Sequence, residues 1–147
     1  MTEGSRLRHP NWALALSILD KFVPGSSGFD PDEIVGLTPE SWTPIEPAEG
    51  SDAVIAEWLW STFGPVEAGF VVAVTFASHV PEVGPFFLDS AGLRDLVKTH
   101  AERFDDPFFS GDAAILDVDN GRLLVVHHDC MAAELRREPT SSEDTLR

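Results

Sequence analysis

Asp112, His127 and Asp129 are the residues whose types and spacing could do chemistry. A two-residue turn at Asn120-Gly121 would set Asp112 opposite Asp129, on the sheet face that also carries His127. One imidazole between two carboxylates can hold a divalent metal, or move a proton as a general acid or base. His128 and Cys130 adjoin this set in sequence. Successive strand residues point to opposite faces, so the pattern separates His127 from His128 and predicts no joint site. No HExxH, paired CxxC or other spaced ligand set accompanies them. No metal, cofactor or catalytic residue is therefore assigned, and His127 is read as a structural residue beside the small Ala114. His100, in the apolar stripe of a helix, is read as a satisfied core or interface histidine. Cys130 follows Asp129 and lacks the cationic surroundings that lower a thiol pKa. Nucleophile-elbow, Walker-type and dinucleotide-binding glycine patterns are absent from the sequence.

These residues must be positioned by a C-terminal β-hairpin, Asp112 to Asp129, turning at Asn120-Gly121. With a two-residue turn, Asp119 faces Arg122, Leu116 faces Val125, Ala114 faces His127 and Ala113 faces His128. Upstream, Trp12, Ala15, Leu16, Leu19, Phe22 and Val23 follow helical spacing, with Asn11 as cap and Pro24-Gly25 as stop. Leu14 and Ile18 widen that apolar face. Asp30-Pro31-Asp32-Glu33 and Thr38-Pro39-Glu40 read as two short helix starts in a Pro- and Gly-rich stretch. A second helix begins at Ser51 and ends at Gly64-Pro65, with Val54, Ile55, Trp58, Leu59 and Phe63 on one face and Trp60 off it. Gly69 to Ala77 is a central strand, apolar on both faces. Phe86-Phe87-Leu88 is a short strand leading through Asp89-Ser90 into a third helix that ends near Phe104. Cys130 to Arg137 is expected to form a short terminal helix.

The predicted architecture is one α+β domain over residues 1–137. A mainly antiparallel sheet of about four to five strands carries three main helices on one side or end. Residues 138–147 read as a polar, disordered tail.

The net charge is −15. Nucleic acid and anionic membrane both require Lys and Arg, so neither is an expected partner. Between Lys21 and Arg94 there is no Lys or Arg, against eleven acidic residues. A field of that sign steers basic partners. No apolar run approaches the roughly 18 residues that span a bilayer. Residues 1–10 are polar and do not read as a signal peptide. One cysteine excludes an intrachain disulfide. Together these predict a cytoplasmic protein, and the Arg, Ala, Gly and Pro bias suggests a bacterial or phage source.

In general character the chain resembles bacterial immunity and inhibitor proteins that neutralise basic toxins, a likeness of type that covers no particular residues. The first expectation is accordingly an acidic inhibitor or immunity-type protein that occludes a basic partner. Trp42, Glu46, Glu49, Asp52, Glu57 and Trp60 would form its contact surface. The alternatives are a small metal-dependent or acid-base enzyme using Asp112, His127 and Asp129, and a structural accessory domain. A symmetric homodimer burying Trp60 or the mixed hairpin face would mark the last.

Overall fold

The computed structural model describes residues 10–46, 51–66, 69–109 and 111–136. Glu49 and the tail expected over residues 138–147 lie outside these. In chain order the elements are α1 (Asn11–Phe22), β1 (Thr43–Pro44), α2 (Asp52–Phe63), β2 (Phe70–Val74), β3 (Phe86–Asp89), α3 (Ser90–Phe104), β4 (Ala113–Asp117), β5 (Arg122–His127) and β6 (Met131–Arg136). Short 3-10 turns occupy Pro31–Glu33, Pro39–Ser41 and Phe76–His79. The fold is α+β, with one antiparallel sheet of six strands in the order β1-β6-β5-β4-β2-β3.

The sheet is buried on both faces, which explains why its inner strands are apolar on both sides. On one face, α2 and α3 bring Ile55, Leu59, Leu93 and Leu96 onto Val71, Ala73, Ile115 and Leu124. On the other, α1 brings Trp12, Ala15 and Leu19 onto Val72, Leu116, Leu123 and Val125. The helices thus divide between the two faces instead of gathering on one. Each helix needs only one apolar stripe in this arrangement, and Leu14 and Val54, expected on buried faces, are exposed.

Local signals place the helices. Ser51 Oγ accepts the Val54 N–H, and Asp89 Oδ1 accepts the Gly92 N–H at 2.7 Å, so two orphan amides are satisfied. The first helix, α1, starts differently. Pro10 occupies its N-cap position, and Asn11, expected as the cap, is its first helical residue. The Asn11 side chain instead donates to the Pro85 carbonyl. The first short turn, Pro31–Glu33, also follows its sequence, since the Asp30 N–H donates to Glu33 Oε1.

The hairpin forms where expected but with a longer connection. Asp117 faces Arg122, Leu116 faces Leu123 and Ala114 faces Val125, leaving Val118 to Gly121 as a four-residue loop. Gly121 has φ +65° while Asn120 does not enter the left-handed region, so the two do not form the tight turn that needs positive φ at both. The register moves by two residues. Because side chains alternate with a period of two, Leu116, Leu123 and Val125 keep their predicted face.

The main departure follows Cys130. Met131–Arg136 is a strand that pairs along β5, from His127 opposite Met131 to Arg122 opposite Arg136. It supplies a strand beyond the predicted four to five, where a terminal helix was expected. Ala132 and Ala133 are fully buried there, so pairing and burial outweigh the helical propensity of an Ala-Ala-Glu-Leu run.

Arg122 closes the far end of the sheet. Its Nε donates to Asp117, Nη1 to the Phe63 carbonyl and Glu134, and Nη2 to the Gly64 and Pro65 carbonyls. All five guanidinium donors are engaged. The hairpin register puts Asp117 beside Arg122 in place of the expected Asp119, and the cluster ties the end of α2 to the sheet.

Candidate functional site

Four chain segments meet at the opposite end of the sheet. Val74 of β2 faces Ala114, Ala113 faces Val126, His127 faces Met131, and Met131 faces Pro44 of β1. The end of β2, the start of β4, the turn between β5 and β6, and the end of β1 therefore lie side by side. Asp112, His127, His128 and Asp129 all belong to this end.

The turn His128-Asp129-Cys130 is a three-residue hairpin connection with Cys130 at φ +66° and its N–H bonded to the His127 carbonyl. A left-handed third residue is the usual way to close such a loop, and glycine is its usual occupant. The turn corrects the prediction that the two histidines stand apart. His128 has left the strand, so the alternation that would send it to the other face no longer applies. The His127 and His128 rings stack, with centroids 4.2 Å apart and planes 25° apart.

Asp112 anchors the group. Its Oδ1 accepts both the His128 backbone N–H and His128 Nδ1–H, each at 2.8 Å. The partner expected for Asp112 was Asp129, but the carboxylate is taken by His128, which turns back onto it where the chain leaves β5. Asp129 instead flanks both rings. Its N–H donates to His127 Nδ1 at 3.0 Å, and its carboxylate lies 3.6 Å from that nitrogen and 3.8 Å from His128 Nε2. The hydrogen bond and charge of Asp112 hold the His128 pKa above its ordinary 6.5, with a smaller contribution from Asp129. Donor atoms of Asp112, His127 and His128 all lie within 4.8 Å of one another.

Two residues expected on a partner surface also reach this end. Trp42 sits edge-on to the His127 ring, with centroids 5.5 Å apart. Ile45 donates its N–H to the Cys130 carbonyl, and Glu46 follows it, exposed. Phe76 is 63% exposed and its ring lies 3.7 Å from where a side chain on Gly111 would begin. Sequence alternation assigned Phe76 to a strand face. The strand ends at Val74, and Thr75 to Ser78 bonding turns the chain outward.

The remaining predicted contact residues do not gather here. Trp42 packs against the core under α1, whereas Trp60 packs against the core under α2 and α3. The two tryptophans thus belong to opposite faces of the sheet. Glu57 is exposed on α2. Asp52 uses both carboxylate oxygens on the N–H groups of Phe108 and Phe109, at 2.7 and 3.1 Å. His100 is fully buried, with Nδ1 donating to the Asp106 carbonyl and Nε2 bonded to the Thr75 hydroxyl at 2.9 Å. It is the satisfied core histidine that its place in the helix predicts.

Clefts of about 320, 580, 310 and 360 Å³ are lined by other residues, the first by Trp12, Phe29, Asp30 and His79. No described helix is long and apolar enough to cross a membrane. Comparisons of the chain with protein-family models, with curated proteins and with solved structures returned no match.

Proposed function

We propose that this protein is an acidic protein-binding domain of the inhibitor or immunity type, which engages a basic protein by electrostatic steering and steric occlusion. One observation carries the reading. Asp32, Glu33, Glu40, Glu46, Glu57, Glu82 and Asp89 are exposed within a stretch that contains no Lys or Arg. Among the described residues no ion pair uses any of these carboxylates. Unneutralised surface charge of one sign raises the local concentration of oppositely charged partners and speeds their encounter. Trp42 with Glu46 beside β1, and the exposed Phe76 after β2, lie at the same end of the sheet, and aromatic side chains are the frequent anchors of interfaces. Trp60 contributes less in this reading, because its ring is half-buried against the opposite core.

The test is affinity capture on the immobilised chain from a lysate of its source organism, at low and high salt, beside a Glu46→Lys/Glu57→Lys variant. A basic protein should be retained at low salt and released at high salt. Its association rate should fall about 10-fold in the variant. Capture of no basic protein at low salt, or an unchanged association rate in the variant, would sink the reading.

A further inference from the structure

We infer that Asp112, His127 and His128 form a binding site for one first-row divalent transition ion of the Zn²⁺ class, with Asp129 as an outer carboxylate. The inference is independent of any basic partner, because it rests on donor chemistry and geometry at the hairpin turn. Two imidazoles and a carboxylate suit Zn²⁺, Co²⁺, Ni²⁺ or Cu²⁺, whereas Ca²⁺ and Mg²⁺ require mostly oxygen donors.

The geometry is close to what such an ion needs. Bonds of about 2.0–2.2 Å place the donors of one ion about 3–3.5 Å apart. His128 Nδ1 and Asp112 Oδ1 are already 2.8 Å apart, and all three donors fall within 4.8 Å. Gathering them takes a shift of about 1–2 Å. His128 can make that shift, since its side chain is 59% exposed in a turn. Asp112 and His127 are held more firmly, the first by the His128 backbone N–H and the second by Trp42 and the turn amide. Three protein donors leave the fourth position of a tetrahedral ion open to solvent or to a donor from another molecule.

Asp129 is placed to supply the outer carboxylate that metal-bound histidines use. Such an imidazole turns its second nitrogen toward a carboxylate or carbonyl, which fixes its orientation and raises its basicity. The Asp129 carboxylate lies 3.6 Å from His127 Nδ1 and 3.8 Å from His128 Nε2, outside hydrogen-bond range. It serves His127 only once an ion on Nε2 shifts the ring proton to Nδ1, which gives up the Asp129 N–H bond of the metal-free chain. A single Asp–His ion pair would account for Asp112 and His128 alone. It does not require the second imidazole stacked 4.2 Å away with its own carboxylate.

The experiment is titration of the full, tag-free, metal-stripped chain with ZnCl₂, followed by calorimetry and by imidazole NMR, with CoCl₂ as a spectroscopic probe. One ion per chain should bind saturably and move the ring signals of His127 and His128, but not those of the buried His100. An excess of Mg²⁺ should not displace it. His128→Ala and Asp112→Ala should each weaken binding by at least the about 10- to 100-fold that loss of an outer-shell partner costs. The exposed His128 makes the first variant safe for folding, and an unchanged amide spectrum checks both. Unmoved His127 and His128 signals, wild-type affinity in both variants, or unsaturable uptake spread over the surface carboxylates would each overturn the site.

Discussion

His128 donates twice to one oxygen of Asp112, through its backbone N–H and through Nδ1, both at 2.8 Å. The pair fixes the ring at the mouth of the hairpin and favours its protonated form. The His128 pKa is therefore raised from 6.5, mainly by the Asp112 hydrogen bond and charge. In the metal-free protein, NMR titration should show His128 holding its proton above that value, and Asp112→Asn should lower its midpoint. The sign for stability follows from linkage. A folded-state pKa above the unfolded one means that the stabilisation is complete below about pH 6.5, and is lost as pH rises through the folded value. A wild-type midpoint at or below 6.5, or one unmoved by Asp112→Asn, would contradict the pairing.

At the other end of the sheet, Arg122 and Asp117 make a buried pair, with side chains 4% and 0% exposed. Removing one member of such a pair leaves a charge without its counterpart in a low-dielectric setting. Asp117→Ala should lower unfolding stability by about 3–5 kcal/mol. Glu134 is 17% exposed and shares Arg122 with three carbonyls, so Glu134→Ala should cost about 1 kcal/mol. Urea denaturation of the two variants gives the comparison. Equal losses would mean that Asp117 is not the principal counter-ion.

The caps of α2 and α3 and the faces of the hairpin were legible because they depend on local chemistry, whereas the Asn11 cap and the buried faces assigned to Leu14 and Val54 were misread. Ser51 and Asp89 announce helix starts by residue type, and Leu116, Leu123 and Val125 keep their face under a two-residue slip. β6 was illegible for two reasons. Ala132, Ala133, Glu134 and Leu135 favour a helix in isolation, and the turn before them places Cys130 where glycine would signal a hairpin. The site suffered from the same omission. Asp112 and His127 stand out by chemistry, but His128 joins them only because the strand ends before it. Arg122 gave no sign of burial, since its five acceptors come from three separate segments.

Asp52 was expected to meet a partner, yet it holds the segment after α3. Its two oxygens accept the N–H groups of Phe108 and Phe109, and Phe108 is fully buried among the side chains of α2 and α3. Asp52→Ala would strand two amides and loosen Phe108. The expected loss is about 2–3 kcal/mol, since each hydrogen bond to a charged group contributes about 1.5–3 kcal/mol and the exposed loop regains part of it from water. Hydrogen exchange at Phe108 and Phe109 should accelerate in the variant. Unchanged exchange and stability would show that Asp52 does not hold this segment.

Cys130 tests whether the turn itself positions the histidines. A non-glycine residue at φ +66° has its Cβ close to backbone, which costs about 1–2 kcal/mol. Cys130→Gly relieves that contact, offset by about 0.5–1 kcal/mol of added chain entropy. Cys130→Val adds a β-branch to a conformation that such residues rarely adopt. Stability should therefore order as glycine at least equal to cysteine, with valine lower by about 1 kcal/mol. The valine variant should also weaken the Asp112–His128 hydrogen bond, because relaxing φ moves the His128 amide away from Oδ1. Thermal unfolding gives the first result and the His128 amide shift gives the second. If valine is tolerated as well as glycine and the amide shift stays fixed, the left-handed residue does not hold the two rings together.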